Sequence, residues 1–161
     1  MPFIAEDLGE IDEDVYRLRD DFKLPGMQVL QFSFGDDTPD SVHSPHNHQE
    51  NSFVYTGTHD NNTARGWFRE EAGKPVKKRL KLYTGNKVKS SNVHKVLTRL
   101  AWASQSRLAI IPVQDLLGRG TEAQMNRPAV AKGNWTWRLK TMDELKEIAG
   151  EIRELLNLFA R

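Results

Sequence analysis

Four short apolar segments are interspersed with four stretches of helical spacing along this chain, and that arrangement constrains its fold more than any other feature. The apolar segments are "PFIAE" (Pro2–Glu6), "MQVLQFSF" (Met27–Phe34), "FVYTGT" (Phe53–Thr58) and "RLAIIPVQDLL" (Arg107–Leu117). Alternating side chains in the second predict that Phe32 and Phe34 share a face. Helical spacing runs over Asp12–Phe22, through Val15, Leu18 and Phe22, and over Asn62–Glu71, with Asn61 or Thr63 available as N-cap. It returns over "SNVHKVLTRLAWASQS" (Ser91–Ser106) and over "TMDELKEIAGEIRELLNLFA" (Thr141–Ala160), where Thr141 suits the cap. Strands that alternate with helices imply a parallel sheet with right-handed crossovers, an α/β architecture. In such folds the working residues sit just past the C-terminal ends of the strands.

At 161 residues the chain suits one domain, residues 1–161, with a real core. Its net charge of +1 gives no electrostatic case for nucleic acid or an anionic membrane. The basic stretch Lys74–Lys89 reads as a solvated helix face followed by a turn. Apolar runs such as "LAIIPV" (Leu108–Val113) are far too short to cross a bilayer. The acidic start "MPFIAEDLGEIDED" is unlike a signal peptide. With no cysteine, thiolate metal sites and disulfides are excluded, and a cytoplasmic location is expected. The sequence has no hydrolase nucleophile elbow, P-loop or dinucleotide fingerprint, so no cofactor is expected.

Chemistry concentrates at the strand ends. Glu6 and Asp7 are neighbours, so on a strand only one of them faces a given site. "THDNN" (Thr58–Asn62) follows the third strand, and there Asp60 either caps the next helix or faces a crevice. A carboxylate past each of two parallel strands is the pairing that glycoside chemistry needs, one acid to protonate the leaving oxygen and one anion to stabilise an oxocarbenium-like state. Phe32, Trp67, Trp135 and Trp137 either stack on sugar rings or pack the core. The loop at 35–52 carries His43, His46 and His48, which read as a solvated polar loop or, alternatively, as a zinc site.

Five ordered motifs carry a resemblance: "IAEDLG" (Ile4–Gly9), "LPGMQVLQFSF" (Leu24–Phe34), "YTGTHDNNT" (Tyr55–Thr63), "PVQDLLGRGTEAQMNRP" (Pro112–Pro128) and "GNWTWR" (Gly133–Arg138). Together they resemble the amylomaltases, 4-α-glucanotransferases of the α-amylase superfamily. The resemblance implies the C-terminal half, about four βα units, of a (β/α)8 barrel with a C-terminal helix. It implies retaining transfer of α-1,4-glucan segments to the 4-hydroxyl of another glucose or maltooligosaccharide. Glu6 then corresponds to the general acid/base and Asp60 to the transition-state carboxylate. His59 and Phe32 correspond to sugar-binding positions, and Asn126 lies near the donor glycan. Three residues depart from the usual pattern: Asn62 where Asp is common, Gln124 where Arg is usual, and Ala129 in place of Gly.

The resemblance also implies that the nucleophilic Asp belongs to a strand preceding "AEDLG", so that these residues by themselves are inactive. A half-barrel leaves strand edges open, and self-association or a requirement for the other half is expected. The alternative from a different class is a non-catalytic α-glucan-binding module using the same cleft.

Overall fold

The computed structural model describes residues 3–161. Three parallel strands, β1 (Gly26–Val29), β2 (Ser52–Tyr55) and β3 (Leu108–Ile110), lie in that order in one sheet. Met27 sits opposite Phe53, and Tyr55 opposite Ile110. The helices are α1 (Glu13–Asp21), α2 (Ala64–Gly66), α3 (Lys74–Thr84), α4 (Val93–Ala103), α5 (Val113–Leu116) and α6 (Asp143–Leu158). The α/β reading therefore holds, with three strands among the described residues where four were expected.

The missing strand has a local cause. Pro2 lies outside the described residues. In the remainder of "PFIAE", the Ala5 N–H donates to the Pro25 carbonyl at 3.0 Å, as a neighbouring strand would. No ladder follows, because side chains take the next donors on β1. The Met27 N–H goes to Asp7 Oδ1 at 2.7 Å and the Val29 N–H to His43 Nδ1 at 3.2 Å. Backbone donors that are buried need partners, and here side chains supply them instead of a strand.

Two other apolar runs are shorter as strands than their patterns suggest. β1 stops at Val29 and turns into a single 3-10 turn, Leu30–Phe32. That turn separates the two phenylalanines expected on one face: Phe34 is fully buried, while Phe32 is 44% exposed. Pro112 divides "RLAIIPVQDLL": β3 ends before it, and α5 begins after it. The Asn62–Glu71 helix is α2 followed by one π-helical turn, Trp67–Glu71, capped by the Thr63 hydroxyl, which accepts from the Gly66 N–H at 3.1 Å. At α6 the cap position falls on Met142 rather than Thr141, without a side-chain bond. Lys74–Lys89 forms α3 and a left-handed turn at Gly85, with Leu80 as its one buried residue.

The core lies between one sheet face and helices α2 to α4. Leu30, Phe34, Val54, Leu80, Val93 and Leu97 are fully buried there, with Trp67 and Phe68 beside them. Burial alternates along β2, so Val54 faces the core while Phe53 and Tyr55 face the opposite side. That second face, with Tyr55, Ile110 and Met27, forms the floor of a cleft. α6 has no fully buried residue. It is tied to α4 by the Lys95–Glu151 ion pair at 2.7 Å and by Arg161, which donates to the carbonyls of Trp102 and Ser106.

The histidine loop is structural. His43 accepts from the Val29 backbone, and buried His48 donates from Nε2 to the His43 carbonyl and meets Ser106 Oγ through Nδ1. His46 packs on Tyr83. The three imidazoles point to separate partners, and no group of three or more candidate ligands comes together among the described residues. The solvated-loop reading is thereby corrected for His43 and His48: backbone groups on a long loop needed partners, and these imidazoles supply them.

Burial holds the His43 and His48 imidazoles below the ordinary histidine value, and it pushes buried His94 down to about 4. The unfolded chain therefore binds protons that the folded chain refuses, and stability is lost as pH falls from about 6.5 toward 4. His94 alone accounts for up to about 3 kcal/mol of this loss. Thermal melting followed by circular dichroism is expected to give a flat midpoint above about pH 7 and a clear fall by about pH 5. An unchanged midpoint across that range would contradict this account.

Candidate functional site

A cleft of about 610 Å³ opens at the C-terminal ends of the strands. Its walls bring together Glu6, Phe32, His59 and Asp60, which lie far apart in sequence. Glu6 and Asp60 are its only carboxylates among the described residues. Asp7, beside Glu6, turns the other way: it is buried, pairs with Arg19 at 2.6 Å and holds the Met27 N–H. The choice between the two neighbours is thus settled by the backbone, with Glu6 toward the cleft.

Asp60 is no helix cap, since Thr63 does that work. Its Oδ1 accepts from Asn126 Nδ2 at 2.5 Å and lies 3.4 Å from His59 Nε2. Its Oδ2 takes no hydrogen bond from the described residues. Asn126 grips the same loop a second time, because its backbone N–H donates to the His59 carbonyl at 3.0 Å. The fifth candidate residue therefore reaches the site through Asp60 rather than through the cleft wall.

The loop from residue 57 to 63 is held along its length. Asn61 Oδ1 accepts from the Thr58 N–H and hydroxyl at 2.8 and 2.9 Å, closing a local turn. Buried Gln31 donates to the Asn62 carbonyl at 2.8 Å. Asn62 Nδ2 donates to Glu71 Oε1 at 2.8 Å and to Thr121 Oγ1 at 3.2 Å. A carboxylate at position 62 would face Glu71 with like charge, so the amide suits this chain. Gln124 likewise holds its loop, donating to the Asn126 carbonyl and accepting from Arg127 Nε. Ala129 adopts a φ of 63°, the left-handed region that a glycine occupies freely.

The aromatic candidates divide. Trp67 is core, whereas Phe32 lines the cleft. Trp135 is 53% exposed and packs on the His59 ring, with centroids 5.2 Å apart. Trp137 lines a separate crevice with Arg119 and Glu144. Tyr55 was not a candidate from the sequence, yet it lines the cleft, and burial pushes its phenol up so that it stays a neutral donor. Its strand alternation with buried Val54 was the available signal.

The sequence model of the 4-alpha-glucanotransferase family matches residues 1–144. A 4-alpha-glucanotransferase of Aquifex aeolicus is 45% identical over 160 residues, which are 99% of this chain and 32% of that protein. The chloroplastic/amyloplastic 4-alpha-glucanotransferase of Solanum tuberosum is 44% identical over 161 residues, covering 98% of this chain and 27% of the relative. Among solved structures, the amylomaltase of Streptococcus agalactiae in complex with acarbose superimposes with a TM-score of 0.91 at 34% identity. That match covers 100% of this chain and 32% of the amylomaltase. The chain belongs to the 4-alpha-glucanotransferase family, and it spans about a third of the length of these relatives.

Proposed function

We propose that these residues form the acid/base-bearing part of a 4-α-glucanotransferase, the C-terminal half of its (β/α)8 barrel. The observation that carries this reading is the cleft in which Glu6 and Asp60 meet at the ends of parallel strands. In the proposed reaction Glu6 donates its proton to the glycosidic oxygen of an α-1,4-glucan as that bond breaks. A nucleophilic carboxylate from outside the 161 residues closes on the sugar's C1 and holds it as an ester. Glu6, now ionised, takes the proton from the 4-hydroxyl of an acceptor sugar, which displaces the ester and completes the transfer. Asp60 stabilises the positive charge that develops on the ring in both steps. His59 binds the sugar's hydroxyls, Phe32 offers an apolar wall beside the cleavage point, and Asn126 orients Asp60. A non-catalytic glucan-binding module is not favoured, since family membership and an acid in the cleft both speak for turnover.

The test is a chimera in which this chain replaces the matched 160 residues of the Aquifex aeolicus relative. With maltotriose, the chimera is expected to yield glucose together with longer maltooligosaccharides, and the chain alone neither. Turnover by the chain alone would overturn the division of the site. A folded chimera without transfer would overturn the assignment of function.

A further inference from the structure

The buried carboxylate of Asp115 has no place in the reaction above. It sits on α5, after the neighbouring strand, and is 1% exposed. Its Oδ2 accepts from the Thr56 hydroxyl at 2.5 Å, and its Oδ1 accepts from the Ala64 N–H at 2.7 Å. Thr56 follows the last residue of β2, and Ala64 is the first residue of α2. Between them runs the loop that carries His59 and Asp60.

We propose that Asp115 is a positioning residue for Asp60: its carboxylate bridges the two feet of the 57–63 loop and so sets where Asp60 enters the cleft. Any change in the separation of the feet alters the path of seven residues between them. The other ties from this loop to the rest of the fold each act at one place, those of Gln31 and Glu71 at Asn62 beside the second foot and that of Asn126 at Asp60. Only Asp115 spans both feet among the described residues. Burial raises the carboxyl's pKa, and the two hydrogen bonds oppose that rise. A buried acid is costly unless hydrogen bonds compensate it, and here both carboxylate oxygens take one. The catalytic part of this inference rests on the role given to Asp60 above, whereas the geometric part does not.

The test uses the chain itself and no turnover. Amide hydrogen exchange is followed over residues 57–64 and, as a control, over α4. The Asn126 side-chain amide signal in a nitrogen–proton correlation spectrum reports its bond to Asp60. Asp115→Ala is expected to speed exchange over 57–64 by about tenfold or more, with α4 unchanged, and to shift the Asn126 signal. Asp115→Asn restores both, because its amide can donate to Thr56 and accept from Ala64. Should Asp115→Ala fail to fold, Thr56→Val removes one foot at nearly the same shape and is expected to speed exchange over 57–59. Loop exchange and an Asn126 signal that stay as in the wild type would overturn the proposal. So would equal acceleration in α4, which marks a loss of stability alone. Because no readout needs activity, an inactive chimera would leave this result standing by itself.

Discussion

Glu6→Gln in the chimera is expected to lower maltotriose turnover by about 10²–10⁴-fold, the range over which general acid–base catalysis contributes. The amide keeps the shape of the side chain and removes the transferable proton. A second donor separates this loss from simple misfolding. An α-maltosyl fluoride carries a leaving group that departs without protonation, so its first step escapes the missing acid. The second step still needs a base to take the acceptor's proton. The variant should therefore release fluoride in a burst equal to the number of active sites and then nearly stop. Equal loss with both donors, without a burst, would remove Glu6 from the acid/base role. Unchanged turnover would remove it from the reaction. The cleft supports the asymmetry, since Glu6 faces it while Asp7 is buried against Arg19.

The parts of the site that were legible in the sequence share one property: polar residues stand where an apolar strand has just ended. "GTHDNN" after β2 is the clearest case, and the loop does reach the cleft. Element ends were less legible, because alternation persists where hydrogen bonding does not. "QFSF" continues the pattern of β1, yet Gln31 turns inward to bond Asn62 and the backbone coils into a 3-10 turn. "PFIAE" has strand composition, but Asp7 and His43 take the β1 donors that a ladder would use. The spacing of His43, His46 and His48 fits two readings, and only their tertiary partners decide between them. Asp115 was visible only as part of the polar end "QDLLG" of the last strand, and its structural role was not, because its partners lie 59 and 51 residues away.

Asp60→Asn tests the other carboxylate and should give the opposite donor pattern. The substitution removes a charge with little change of shape, and the new amide oxygen can still accept from Asn126. Preorganised groups facing a developing charge are worth about 10²–10³-fold in kcat. Positive charge builds on the sugar ring whichever group leaves. The loss is therefore expected to be similar for maltotriose and for α-maltosyl fluoride, with no burst of fluoride. If the fluoride donor rescued this variant, Asp60 would be acting through the leaving group, and the roles of Asp60 and Glu6 would have to be exchanged. The surroundings argue against exchange. Asp60 Oδ1 already accepts a bond from Asn126 and lies 3.4 Å from His59 Nε2, so its carboxyl is held in one orientation. A carboxyl fixed in one orientation suits a group that faces the ring in both steps, which leaves Glu6, across the same cleft, to meet the leaving oxygen.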